Sequence, residues 1–318
     1  MRALVVVNPA ATATTAKTRD VLLRALGSEL KVDLAETTHR GHARELGARA
    51  VEDGVDVVVT LGGDGTVNEV VNGLLAGGPS PDLPALAVVP GGSTNVFARA
   101  LGRSRDPVEA TAEVLESLRA ERIRSVGLGT ASIRRPGTAT WTAPRWFVFA
   151  AGLGFDAEVI ERVELRRAQG RRSTGALYVR QATAAFLVGA ERRHPAMTLH
   201  LPGEEPVEKL FLCLFSNVSP WTYLGARPIQ PSPEASFETG IDVFALARRG
   251  PLRMLATVRQ TLDREPAPHG RGLHRRHDLP AATVEAARPL GWQLDGDHLG
   301  TADALRVEGV PAALRVVA

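Results

Sequence analysis

Along the first third of the chain, continuous apolar runs alternate with stretches whose apolar residues recur at helical spacing. Ala3–Asn8, Lys31–Thr37, Val55–Leu61 and Ala85–Pro90 read as four strands. Val21, Leu22, Ala25 and Leu26 share one face of a helix over Thr14–Leu30. Further helices are expected over 41–53, from Thr66 to Leu75 and from Thr94 to Leu101. Asp106 ahead of Pro107 caps a fifth that runs to Arg119. Uncharged, β-branched runs separated by helices predict an α/β domain with a parallel sheet and helices on both faces.

Beyond Ile123 the pattern changes. RWFVFAAGLG, MTLHLPG, EKLFLCLFSNV and GIDVFALA are short apolar segments separated by Gly and Pro clusters, as in an antiparallel β domain. Two helices interrupt it, near Asp156–Arg167 and Thr174–Gly189, and the Pro/Gly/His/Arg-rich stretch Asp263–Pro280 reads as a loop. The change places a domain boundary near residue 125.

Composition narrows this little. An apolar fraction of 44% and a charged fraction of 23% describe a globular chain, and 318 residues suffice for two domains. A net charge of only +3 gives no reason to expect nucleic acid as a partner. The one cysteine, Cys213, lies in an apolar run and reads as a small buried hydrophobe. No signal peptide is visible in MRALVVVNP, and the longest uncharged segment, Leu210–Ala226, is too polar to span a bilayer, so a cytoplasmic location is expected.

Chemistry enters at the strand ends. Ligands of open parallel sheets bind beyond the carboxyl ends of the strands. Asn8-Pro9, Thr37-Thr38, Gly62–Gly65 and Pro90–Asn95 all fall there. In GGDGT, glycines let backbone N–H groups approach phosphate oxygens, and the helix that follows offers its positive end. A carboxylate at that place would repel phosphate directly, so Asp64 fits a site where Mg2+ lies between the two. Thr66 reads as a helix cap, whereas Asn68 and Glu69 stand open between packing and ligand contact. Far along the chain, Asp295 and Asp297 flank Gly296. The pair reads either as a tight turn or, in extended backbone, as two carboxylates facing one side, one of them a general base.

GGDGTVNEVVNGL, with the NP that ends the first strand, GHARELGARAVEDGVDVVV before the glycines and PGGSTNVFARALG after them, resembles the diacylglycerol kinase catalytic family of bacterial soluble lipid kinases, within the NAD kinase-like superfamily. GLGFDAEVI (Gly152–Ile160) and LDGD (Leu294–Asp297) match as well. The resemblance implies an ATP-binding α/β domain over 1–125, to which about 305–318 returns, and a β-sandwich lipid-substrate domain over 126–304. It implies nucleotide contacts at Asn8, Pro9, Ala10, Ala11, Thr12, Thr37, Gly62, Gly63, Asp64, Gly65, Thr66, Val67, Asn68, Glu69 and Ser93. Asp297 becomes the proton acceptor, Asp295 its supporting acid, and Asp64 a ligand of Mg2+ through water.

Four positions depart from the family pattern. Asp297 stands where the family has Glu, Val96 where it has an Asp of the magnesium network, and the Asn-Pro loop lacks its usual Gly. Thr239 replaces an Asp of a second, structural metal site, leaving Ser236, Thr239 and the Ile241 carbonyl as its ligands, with Glu238 or Asp242 as substitutes. The implied activity is transfer of the ATP γ-phosphoryl group to a lipid hydroxyl, diacylglycerol giving phosphatidic acid, by an enzyme held peripherally at the inner face of the plasma membrane. A homodimer is left open. The basic stretch Arg162–Ser173, and Arg264, Arg271, Arg275 and Arg276 with His269, His274 and His277, could meet anionic headgroups or simply be solvated. A NAD kinase-like enzyme, a sphingoid or ceramide kinase and a catalytically weak nucleotide-binding regulator are the rival readings.

Overall fold

The structure, a computed structural model, describes residues 1–11, 16–168, 194–247 and 250–318. The chain divides into two compact units, Met1–Leu128 with Pro311–Ala318, and Gly129–Val310.

In the first unit β1 (Arg2–Val7), β2 (Lys31–Glu36), β3 (Val57–Gly62) and β4 (Ala85–Pro90) pair in parallel in the order β4-β3-β1-β2. Their burial explains their composition. β3 and β4 are buried at every residue and are uncharged, apolar but for Thr60, whereas the edge strand β2 is largely exposed and carries Lys31, Asp33 and Glu36. Helices α1 (Ala16–Gly27) and α5 (Pro107–Arg119) pack through Leu22, Leu26, Val114 and Leu118 onto Val5, Val59 and Ala87 of one sheet face. Val6, Val58 and Val88 of the opposite face are equally buried, and α2 (His42–Glu52) and α3 (Asp64–Leu74) contact β1 and β3. The last strand of the chain ends in this unit, with Val316 beside Leu86 in parallel register.

Helices α2 and α3 cross at two glycines. A Cβ on Gly73 would fall 2.1 Å from the Arg44 carbonyl oxygen, and one on Gly47 would fall 2.6 Å from that of Val70. Backbones this close admit no side chain between them. The contact brings Glu69 of α3 under the amino end of α2.

The second unit is mainly antiparallel. Its long strands are β9 (Val207–Ser216), β12 (Ile241–Ala247), β14 (Ala281–Leu294) and β15 (Asp297–Val317), with the shorter β6 (Arg145–Phe147), β7 (Ala150–Gly154), β8 (Met197–His200) and β13 (Leu273–Leu279). β5 (Ile123–Arg134) pairs with β6 and β15, and β10 (Thr222–Leu224) and β11 (Arg227–Ile229) form a separate hairpin. The antiparallel character matches the reading of the sequence. The pairing does not divide into two sheets, however: among the described residues, β13-β12-β9-β7-β14-β15 is one continuous order.

β7 and β8 share one slot in that order. Both lie between β9 and β14, β7 opposite Leu212–Ser216 and Trp292–Leu294, β8 opposite Val207–Leu210 and Thr283–Ala286. At Gly154, with φ 90°, the chain leaves the slot for α6 (Phe155–Ala168). A Cβ there would meet the Phe211 carbonyl at 2.7 Å and the Met197 side chain at 2.8 Å.

Three expectations are corrected. The stretch Asp263–Pro280 is not all loop, because β13 runs through it at the edge of the sheet. Charged residues on such a strand hid it, and an edge tolerates them on both faces. A helix not foreseen, α7 (Pro251–Thr261), precedes it. RWFVFAAGLG is broken into β6 and β7. The expected helix over Thr174–Gly189 lies outside the described residues.

Candidate active site

The four loops expected at one sheet edge all follow carboxyl ends of adjacent parallel strands. Hydrogen bonds tie them together. Asn8 after β1 donates from Nδ2 to Thr66 Oγ1 at 3.2 Å, and its Oδ1 accepts from the Ala10 amide at 2.9 Å. The Gly91 amide donates to the Gly62 carbonyl at 2.8 Å, and the Thr37 amide to the Val7 carbonyl at 2.9 Å. Gly63 and Gly92 are in backbone contact: a Cβ on Gly92 would lie 2.7 Å from the Gly63 Cα. Two glycine loops pressed together leave amides, not side chains, at the strand ends.

α3 begins at Asp64, two residues earlier than its apolar spacing indicates, with Gly63 in extended conformation as its N-cap. The first-turn amides of Asp64 and Gly65 therefore have no intrahelical carbonyl, and the helix end is electropositive. The half-buried Asp64 accepts at Oδ1 from the Phe97 amide, 3.2 Å away, at the start of α4 (Val96–Ala100). Asn95, at φ 51°, closes the neighbouring loop by accepting from the Gly92 amide at 2.9 Å and donating to the Gly92 carbonyl at 2.7 Å. Ser93 is exposed at the loop between them. This cradle suits a triphosphate, and one carboxylate beside it suits Mg2+, an ion commonly held by one or two carboxylates, water and phosphate oxygens.

In the second unit, Asp295 and Gly296 have φ 48° and 80°, and Leu294 faces Asp297 across the β14–β15 hairpin. Positive φ at both central residues marks a type I′ two-residue turn, for which Asp-Gly is a preferred pair. Of the two readings the tight turn holds and the extended backbone does not, and the two carboxylates have different surroundings. Asp295 is 4% exposed and accepts from three amides, those of Val148 at 2.8 Å, Phe149 at 2.9 Å and Ala150 at 3.0 Å. Asp297 is half-buried, and both its neighbours are clamped. The Gly296 amide donates to Gln293 Oε1, and the His298 amide donates to Glu164 Oε1 of α6, each at 3.1 Å.

Residues 2–131 match the diacylglycerol kinase catalytic domain. Over 94% of this chain and 90% of the relative, the sequence is 28% identical to the "Probable lipid kinase YegS-like" of Stenotrophomonas maltophilia (strain K279a). A solved diacylglycerol kinase from Bacillus anthracis str. Sterne has the same fold at a TM-score of 0.69 and 18% identity, over 99% of this chain and 96% of that one. An NAD kinase from Archaeoglobus fulgidus in complex with ATP aligns at a TM-score of 0.51 and 12% identity, over 100% of this chain and 94% of that one.

Within the matched residues, several expected nucleotide contacts have structural duties instead of, or besides, a ligand. Val67 is 1% exposed and belongs to the core, and Asn68 is 4% exposed with Asn72 Nδ2 at 3.2 Å from its Oδ1. Glu69 holds α2: its Oε1 accepts from the Gly41 amide at 2.8 Å and its Oε2 from the Ala43 amide at 3.2 Å. Thr66 anchors Asn8 (the N-cap place falls to Gly63). Pro9 and Ala10 are exposed in the loop, and Thr12 lies outside the described residues. At the expected structural metal, Ser236 and Thr239 bond to each other. The Ser236 amide lies 3.3 Å from Thr239 Oγ1, and that hydroxyl lies 3.1 Å from the Ser236 carbonyl. Asp242 accepts from the Asp278 amide at 3.1 Å and pairs with His277 at 2.8 Å. Among the described residues no cluster of three or more His, Cys, Asp or Glu could hold a metal ion. Two self-paired hydroxyls and a carbonyl do not fit a hard divalent cation.

The basic patches also change. Arg275 pairs with Glu234, and Arg276 with Glu204 at 2.6 Å, so these two arginines of the later cluster are neutralised. Arg162 pairs with Glu158 at 2.7 Å; the side chains of Arg166 and Arg167, and all of Arg171 and Arg172, lie outside the described residues.

Gln293, Asp156 and Glu164 were not among the expected site residues. Gln293, 0% exposed, bridges the hairpin to Asp156, its Nε2 donating to Asp156 Oδ2 at 2.7 Å. Burial raises the Asp156 carboxyl to about 7, only partly offset by the bond from Gln293. The native state therefore binds more protons than the unfolded chain between about pH 4 and 7, and stability falls as pH rises through that window. The loss amounts to roughly 4 kcal/mol at most. Asp156→Asn is expected to flatten this dependence in denaturant titrations at pH 5 and 8, with its gain over the parent confined to pH 8. An unchanged slope in the variant would assign the dependence to another group.

Proposed function

We propose that the protein transfers the γ-phosphoryl group of ATP to a lipid hydroxyl, diacylglycerol foremost, giving phosphatidic acid. The observation that carries this reading is the meeting of two glycine loops and a helix amino end around one carboxylate, Asp64, inside a diacylglycerol kinase catalytic domain. The ATP bound by a protein of the same fold agrees with it.

The glycine-loop amides and the first turn of α3 orient the phosphates, so that negative charge developing in transfer meets donors already in place. Asp64 would hold a Mg2+ ion, which would offset charge on the triphosphate. Asn8 and Asn95 keep the two loops in register. In the second unit Asp297 takes the proton of the acceptor hydroxyl as its oxygen bonds to phosphorus and the bond to ADP breaks. Asp295, bound to three amides, positions the hairpin rather than exchanging protons. Among the described residues no helix is long and apolar enough to cross a membrane, which agrees with an enzyme that meets its lipid from the surface.

Asp64→Asn tests the phosphate side. Asparagine keeps an oxygen for the Phe97 amide, so α4 stays capped while the charge is lost. Turnover with labelled ATP should fall about 100-fold or more, with the melting temperature within about 2 °C of the parent. Near-normal turnover would remove Asp64 from the mechanism.

A further inference from the structure

Helix α7 is amphipathic in the wrong sense for a helix that only supports a protein core. Thr257 and Thr261 face inward at 3% and 7% exposure, while Leu252, Leu255 and Val258 stand in water at 83%, 66% and 42%. The inward hydroxyls are satisfied within the helix, Thr257 donating to the Arg253 carbonyl at 3.0 Å and Thr261 to that of Val258 at 2.8 Å. At 100° per residue, Leu252, Leu255 and Ala256 lie within one third of the helix circumference, with Val258 at its margin. Most other exposed large apolar residues among those described are isolated from one another in sequence. Isolated exposures are ordinary, whereas three large aliphatic side chains along one side of a single helix are a surface for something apolar.

Charge selects the occupant. Arg259 shares the outward face, Arg253 flanks it, and neither forms an ion pair among the described residues, unlike Arg275 and Arg276. From Arg248 to Leu262 the sequence holds four arginines and no acidic residue. A second copy of the chain docked face to face would set these cations against their own kind. An anionic lipid surface offers acyl chains to the leucines and phosphates to the guanidinium groups. Eleven residues make a helix of about 16 Å, too short to cross a bilayer and suited to lying along its surface.

We infer that α7 is an interfacial helix that docks the protein on an anionic bilayer, with Leu252, Leu255 and Val258 among the acyl chains and Arg253 and Arg259 at the phosphates. The inference rests on the lipid-kinase reading for its purpose but not for its test.

Flotation of the full chain with phosphatidylcholine vesicles, with and without 30% phosphatidylserine, reads binding whether or not any lipid is phosphorylated. The parent should float with the anionic vesicles. Leu252→Gln with Leu255→Gln should weaken that binding about tenfold or more. Arg253→Gln with Arg259→Gln should weaken it roughly tenfold to thirtyfold on anionic vesicles and leave neutral ones unchanged. All four positions are exposed, so the variants should fold as the parent does, with circular dichroism as the check. Phosphorylation of a dispersed short-chain diacylglycerol should be unchanged in both, while phosphorylation of vesicle-borne acceptor falls. Variants that float like the parent, a parent that floats with neither vesicle, or a parent dimer that Leu252→Gln with Leu255→Gln converts to monomer in light scattering would each overturn the inference. If flotation behaves as expected but no lipid is phosphorylated, the kinase reading alone fails.

Discussion

Asp297→Asn is expected to lower lipid phosphorylation by about 100- to 10,000-fold, the range a positioned general base contributes. The substitution changes neither size nor backbone. Asp297 sits one residue beyond the tight turn, and the amides on either side of it are held by Gln293 and Glu164 rather than by its own carboxylate. Binding of ATP should be retained, because the phosphate loops belong to the first unit. The combination to look for is lost turnover with nucleotide affinity and melting temperature near those of the parent. Turnover within about threefold of the parent would place the proton acceptor elsewhere.

Asp295→Ala should also abolish activity, but by a different route. Its carboxylate is the acceptor for three amides where β6 passes into β7, and it is almost fully buried. Removing it leaves the amides of Val148, Phe149 and Ala150 without that acceptor. A buried amide left without an acceptor costs on the order of 1–3 kcal/mol, less where the backbone shifts or water enters to pair it. A loss of about 3–5 kcal/mol is expected, visible as a shifted denaturant midpoint of the unit Gly129–Val310. Asp295→Asn, which keeps one acceptor oxygen, should lose distinctly less. If alanine left the midpoint unmoved while activity vanished, Asp295 would belong with the reacting groups and not with the scaffold.

The contrast between these two aspartates shows what could be read from the chain. Asp-Gly-Asp is visible as a motif, but the direction of each carboxylate depends on whether the backbone is extended or turned. Positive φ at Asp295 and Gly296 decides that, and only the paired strands reveal it. The glycine loops were legible because their close approach is a property of the backbone. Glycines at the ends of apolar strands permit such an approach, and the structure brings Gly63 and Gly92 into contact. Glu69, Gln293, Asp156 and Glu164 were not legible as positioning groups. Their partners are distant in sequence, as in the bond from Gln293 to Asp156, and no local spacing encodes such a pair.

Secondary structure failed where burial is reversed. β13 lies at a sheet edge and can carry His274, Arg275, Arg276 and His277 in succession, which removes the alternation that betrays a strand. In α7 the apolar spacing is present, but it marks the solvent side, and Thr257 and Thr261 occupy the buried one. The short strands β7 and β8 were legible as apolar segments, but not their arrangement, in which each fills half of one slot between β9 and β14.

Transfer of label from γ-labelled ATP, offered with Mg2+ to vesicles or micelles of diacylglycerol, monoacylglycerol, sphingosine or ceramide and to NAD in solution, decides what the protein does. Label should appear in phosphatidic acid, depend on both Asp64 and Asp297, and be absent from NAD. Label confined to NAD, or found in none of the acceptors while ATP still binds, would contradict a lipid kinase.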